Sequence, residues 1–409
     1  MLTGLIDGAF SCCDSNYSTE RYEPFGDDEE AIRKELLHIE WAVHRIATPA
    51  ILTFGLLGNI LTLAALSGPS FRGVTYLYLT GLAVADIGVL ISWIPVAIRL
   101  GYGMNKFYLA ALYHAHIELV LLHTFMAASI FIMASLTVDR YVSVFFPARL
   151  RSGNIRRNAN SLIIASFMLG FMISIPLGGM RLVYEQQDGP DLVFILQENT
   201  SITRNELWTA YLWGLESLVR IGPSLVFVFL NTLVIKRFLQ LTAKRRRFHA
   251  VSDKYRATHV AETSSLMRNR GYSSFYREEQ QLVILLSAIV IFFFLTTTPA
   301  ICVTLIYPIK LEKDLNYQRM RAIVNLVEIS NFALKFLLYF ACSTDFRSAA
   351  LRTFQGRCKE EVRDMSQEPP VGEIEDFSRH GTTFRMSPEH TKLNSPGSPS
   401  KLNEEKELQ

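Results

Sequence analysis

"SLTVDRYVSVFFP", residues 135–147, closes a long apolar block that begins near residue 112. Asp139 and Arg140, with Tyr141 beside them, end the apolar run, and Pro147 follows. A helix leaving a hydrocarbon layer reads this way: about 20 apolar residues cross the layer, and charge returns at the headgroups. Six more blocks of the same kind lie near 42–67, 75–98, 159–183, 208–239, 281–307 and 320–342. They are apolar on all sides, and only internally bonded backbone is stable in lipid, so each is read as a membrane-spanning helix. A large soluble core would need seven buried helices without polar faces, which a chain of 409 residues that is 49% hydrophobic does not supply. The expected fold is therefore all-α: a seven-transmembrane helix bundle held in a lipid bilayer.

The basic residues set the expected orientation, because segments rich in Lys and Arg stay on the cytoplasmic side. Arg72, then Arg149, Arg151, Arg156 and Arg157, then Lys244–Arg247, then Arg347, Arg352, Arg357 and Lys359 follow the first, third, fifth and seventh spans. The first segment is acidic instead, with Asp27, Asp28, Glu29 and Glu30. The N-terminus is expected outside and the C-terminus inside, at the plasma membrane. The two Asn-x-Ser/Thr sequons, at Asn16 and Asn199, both fall in segments this topology places outside, and both are expected to carry glycans. The start "MLTGLIDGAF" has no basic residue before its apolar stretch, so the first span is expected to act as the insertion signal. Residues 1–41 read as a polar arm and 42–356 as the bundle. Residues 357–409, with Ser-Pro at 387, 395 and 398, read as a disordered tail. The connections 184–207 and 240–280 read as loops.

An Asp139-Arg140-Tyr141 triplet at the inner end of a third span resembles the rhodopsin-like (class A) G-protein-coupled receptors. Asn59 in the first span, Asp86 in the second, Pro223 and Pro299 in the fifth and sixth, and Tyr339 in the seventh stand at the family's spacings. Phe346 follows Tyr339 and opens "FRSAALRTF", an amphipathic stretch suited to a short eighth helix along the membrane face. Cys358, just beyond it, is a palmitoylation candidate or a plain cytosolic thiol. The overall look, with "LNTLVIKRF" closing the fifth span, resembles FMRFamide-type neuropeptide receptors and related orphan receptors.

The resemblance implies switching rather than catalysis, and no enzyme activity or cofactor is expected. It implies an inactive-state pair between Arg140 and an acid at the base of the sixth helix. Twenty residues before Pro299 stands Glu279, which is that acid or else a solvated side chain. It also implies an apolar relay of Ile130, Pro223 and Phe293. The departures are as definite. Ala115 stands where the family has a bridged cysteine, Thr297 where it most often has tryptophan, and Lys335-Phe336 where it has Asn-Pro. In many members, the helix 2 acid and polar groups on helices 3 and 7, here Asp86, Ser129 and Asn331, surround a sodium ion. An ammonium from Lys335 is expected to take the ion's place against Asp86, unless the long side chain snorkels to the headgroups.

Leu122 occupies the position of the amine receptors' aspartate, and Ile329 that of the opsins' lysine, so neither a biogenic amine nor retinal is expected. The outer half of the bundle nonetheless holds Glu118 and His123 on the third span, Glu216 and Arg220 on the fifth, and Glu328 on the seventh. Charges at that depth normally face a water-filled cavity or a partner. Glu216 and Arg220 could equally form a self-contained i,i+4 pair. The histidines show no metal-ligand spacing, and no metal is expected. The function read from these residues is a receptor, expected to answer a neuropeptide with a basic group and to pass the signal to a heterotrimeric G protein. Arrestin and kinases would act on the tail, and no nucleic-acid partner is expected. A transporter or channel is the alternative, but no inverted repeat of the kind many transporters carry is visible.

Overall fold

The computed structural model describes residues 38, 41–68, 71, 73–102, 107–146, 155–188, 191–256, 264–306 and 315–352; the side chains of 155–157, 188, 191, 244–246, 248–256, 264–279, 304–306 and 315–318 are outside this description. Within it the chain runs through α1 (Trp41–Leu66), α2 (Val74–Tyr102), α3 (Tyr108–Phe145) and α4 (Ile155–Ser174). The hairpin β1 (Arg181–Asp188) and β2 (Asp191–Glu198) follows, and then α5, whose crossing part is Glu206–Ala243. The chain continues through α6 (Ser264–Ile306), α7 (Leu315–Ala333), α8 (Lys335–Cys342) and α9, residues 344–352. Among the described residues, six helices are long and apolar enough to cross a membrane, and α7 with α8 forms a seventh span broken by 48°. The protein is a multi-pass membrane protein.

The third helix is the axis. Its most apolar stretch is 67% buried, against 22% for the fourth helix, whose Ile164, Met168, Leu169 and Met172 face outward as lipid-contacting side chains do. The two pack closely because Gly170 has no side chain: a Cβ there would sit 2.7 Å from the Thr124 carbonyl oxygen. Ile130, Phe227 and Phe293 lie in one buried apolar cluster, with the Phe227 and Phe293 rings edge to face at 5.4 Å.

Three local departures from regular helix place the polar groups. A π turn at Tyr113–Ile117 precedes Glu118, and another at Ser217–Ile221 carries Arg220. The second turn ends with the Gly222 N–H bonding the Ser217 carbonyl, and a Cβ on Gly222 would come 2.8 Å from that same oxygen. Glycine is what lets the bulge close there. The third is the break at Leu334, which occurs without proline. The Phe332 carbonyl that a regular helix would have bonded internally accepts instead from Asn59 Nδ2 of α1, at 3.0 Å. Gly55 and Gly58 let α1 approach closely enough: Cβ atoms there would lie 2.6 Å from Ala333 and 3.0 Å from Phe336.

Two connections differ from the sequence reading. Residues 184–207, read as a loop, are mostly the antiparallel hairpin, in which Arg181 pairs with Glu198 and Asp188 with Asp191. The fourth helix stops before residue 183 because "IPLGG" at 175–179 turns it into a 3-10 turn. The basic stretch 240–280 is helical over most of its length, as α5 runs to Arg256 and α6 starts at Ser264. Its Lys, Arg and Ala residues are good helix formers.

Candidate functional site

Polar side chains gather at four levels of the bundle. At mid-depth, Lys335 opens α8 immediately after the break, so the bend aims its side chain inward. Its Nζ donates to Asp86 Oδ1 at 2.8 Å and to Ser129 Oγ at 3.1 Å, while Ser129 Oγ donates to the same Asp86 oxygen at 2.7 Å. Lys335 is 1% exposed and Asp86 fully buried, so the side chain does not snorkel to the headgroups. The Phe332 ring lies 5.1 Å from the ammonium. Asp86 Oδ2, Asn331 Oδ1 and the Tyr339 hydroxyl are buried with no hydrogen-bond partner among the described residues. Asn331 is 2% exposed and makes no hydrogen bond to the Lys335 pair among the described residues.

Toward the hairpin, Arg220 bridges two helices. One guanidinium nitrogen donates to Glu216 Oε1 at 2.8 Å and another to Glu328 Oε1 on α7 at 2.6 Å. The i,i+4 pair therefore exists, but it is not self-contained, and the cluster holds two carboxylates for one guanidinium. His123 stands nearby, its Nδ1 on the Leu119 carbonyl at 3.0 Å. The space bounded by His123, Met126, Leu215, Glu216, Val219 and Arg220 is about 10 Å³, enough for a single water. Of the two environments expected for these charges, a partner is the one seen here, and the long Arg220 side chain spans the gap between the two acids. Leu122 is buried in apolar packing with Val89, Trp93 and Phe332.

Glu118 also meets partners. It is 0% exposed, and its partners come from two other elements as well as its own helix. Arg99 Nη2 of α2 donates to it at 2.9 Å, His114 Nδ1 lies 2.5 Å from its other oxygen, and Arg181 Nη1 of β1 stands 3.6 Å away. Arg181 also donates to the His114 carbonyl at 3.1 Å. The sequence reading missed Arg99 and Arg181 as partners because they come from other elements, and His114 although it stands one turn before Glu118 on the same helix.

At the opposite end, Arg140 donates to its neighbour Asp139 at 2.8 Å, and its Nε has no partner among the described residues. Tyr141 stacks on Phe145 at 4.6 Å. Gln281 at the base of α6 donates to Thr344 of α9 at 2.8 Å, and the Tyr339 and Phe346 rings meet at 5.6 Å. Pro223 is buried just after the π turn, and Pro299 lies inside α6. Asn199 is partly exposed beyond β2, and its Nδ2 donates to the Gly179 carbonyl at 3.1 Å. The Glu279 side chain, Asn16 and Cys358 lie outside the described residues.

Comparison with known proteins agrees with this arrangement. Residues 58–344 match the model of the family described as 7 transmembrane receptor (rhodopsin family). Two proteins of Caenorhabditis elegans, each named as a probable G-protein coupled receptor, are similar over most of the chain. One is 27% identical over 75% of this chain and 68% of its own length, the other 26% identical over 82% and 81%. Galanin receptor type 3 of Homo sapiens is 31% identical over 33% of this chain and 39% of its own length. Adenosine receptor A2b of Gallus gallus is 32% identical over 32% and 37%. With the family model spanning the bundle from the first helix to the ninth, the chain belongs to the rhodopsin family of seven-transmembrane receptors and is a receptor, not an enzyme.

Proposed function

We propose that this receptor answers a peptide carrying a basic group, received from the hairpin side, and passes the signal to a heterotrimeric G protein at the Asp139-Arg140-Tyr141 end. The likenesses to galanin and adenosine receptors cover about a third of the chain, so their names do not choose the ligand. The observation that carries the reading is the pair of carboxylates sharing Arg220. A ligand guanidinium or ammonium would compete with Arg220 for Glu328 and Glu216, and so would loosen the tie between α5 and α7. Glu118, 0% exposed against 9% for Glu328 and held from α2 and β1, takes no part in this contact. The hairpin end would face outside at the plasma membrane, with Asn199 glycosylated, and the tail would meet arrestin and kinases.

Membranes from cells expressing the chain should show nucleotide exchange on added G protein when a library of basic neuropeptides is screened. Glu328→Gln should weaken the response roughly tenfold to a hundredfold, the scale of one charge-assisted hydrogen bond, and far more than it changes basal exchange. A neutral lipid agonist would refute the reading.

The switch at the other end has its own expectation. Arg140 is bonded to Asp139 and retains an unpartnered Nε, so it can also hold an acid on α6. Glu279→Ala should raise ligand-independent exchange, roughly fivefold or more, the lower end of the 1–3 kcal/mol typical of an allosteric coupling. Arg140→Ala should weaken coupling without loss from the cell surface. Basal exchange equal to the parent at matched expression would remove Glu279 from the mechanism.

A further inference from the structure

We infer that Arg181 is the anchor that positions the β1–β2 hairpin on the bundle, as the third member of a buried ionic staple with Glu118 and Arg99. A two-stranded ribbon is marginally stable alone and takes its order from what it is fixed to. Among the described residues there is no disulfide, and the cysteines found there, Cys302 and Cys342, lie on α6 and α8, away from the hairpin. The covalent route is therefore not the one in use within these elements.

The polar route is in place. Arg181 is the first residue of β1 and is 2% exposed. It donates to the His114 carbonyl of α3, and its guanidinium faces the Glu118 carboxylate, which Arg99 holds from α2. Three elements, α2, α3 and β1, thus meet on one buried carboxylate. The π turn at Tyr113–Ile117 ends at Glu118, which places the acid and the His114 carbonyl within reach of one guanidinium. The base of the ribbon is closed beside this point: the Asn199 N–H bonds the Met180 carbonyl at 2.8 Å, and Asn199 Nδ2 bonds that of Gly179. Phe194 packs against Tyr108, and Val193 is buried. Such apolar contact is non-directional, whereas the Arg181 Nη1 bond to the His114 carbonyl, beside the Glu118 charge, is directional. Arg181 is a positioning residue. It orients the ribbon over the mouth of the bundle, and the inference is independent of what the ligand is.

Hydrogen exchange on the purified full chain in lipid nanodiscs tests this. The cross-strand bonded amides, every second one within 182–187 and 192–197, should be protected in the parent protein and stay so in dithiothreitol. Arg181→Met should speed their exchange about a hundredfold, as expected when one partner of a buried pair is removed, while residues 126–137 of α3 stay unchanged. Arg181→Lys, which keeps the charge but shortens the side chain, should fall between the two. Adding Glu118→Gln to Arg181→Met should cost less than the two changes separately, since they act through each other. Faster hairpin exchange of the parent in dithiothreitol would overturn the inference, and so would parent-like protection in Arg181→Met. If Arg181→Met does not fold, parent-like protection in Arg181→Lys would overturn it equally.

Discussion

Replacing Lys335 by alanine is expected to cost the receptor about 3–5 kcal/mol, because it strands a fully buried Asp86 carboxylate. The ammonium is held by Asp86 and Ser129 together, and each oxygen it touches is itself bonded, so no other side chain takes over. The purified Lys335→Ala protein should melt well below the parent. Combining it with Asp86→Asn should recover part of the loss, since the stranded charge is then gone. The ion itself offers a second reading. The parent's melting temperature and agonist affinity should not respond to sodium beyond a matched monovalent salt, because the site already holds a cation. Lys335→Ala should be stabilised by sodium specifically, with the ion reaching a vacated carboxylate. A parent receptor whose agonist binding falls specifically with sodium would contradict the built-in cation. A double mutant no more stable than Lys335→Ala would contradict it as well.

Arg220→Met is expected to do comparable damage by the opposite imbalance. Glu216 and Glu328 share this guanidinium, and without it two carboxylates, 5% and 9% exposed, face each other across α5 and α7. Removing one partner from a buried hydrogen-bonded charge pair typically costs about 2–5 kcal/mol. Surface expression should fall several-fold, and Glu328→Gln placed in the same chain should restore much of it. Glu216→Gln should restore less, since its bond lies within one helix and leaves the facing acid on α7 charged. Normal expression and stability of Arg220→Met would show that the triad is not a structural tie.

The seven spans were legible because each is a continuous apolar block, and length alone separates such a block from a core helix. The hairpin was not read, although "DGPD" at 188–191 between "RLVYEQQ" and "LVFILQE" is a turn signal flanked by strand formers. A segment between two spans invites the word loop. The π turns at Tyr113–Ile117 and Ser217–Ile221 leave no composition signature, since the same residues fit an unbroken helix. The Glu118 partners Arg99 and Arg181 were not read because they come from α2 and β1, and no local spacing joins those positions. Lys335 and Asp86, 249 residues apart, could be brought together only through the resemblance to a family whose helices 2 and 7 face each other. Phe227, which shares the buried cluster with Ile130 and Phe293, was passed over for the more conspicuous Pro223 one turn away.

The bend between α7 and α8 has a consequence for how permanent it is. A proline crease is irreversible chemistry, since the missing N–H can never return to the ladder. Here the residue after Lys335 is Phe336, which carries an N–H, and the Phe332 carbonyl it would meet in a straight helix is occupied by Asn59. One oxygen thus has two suitors, one on its own helix and one on the neighbour. Straightening the seventh span means exchanging one hydrogen bond for another, and the first helix holds the deciding donor.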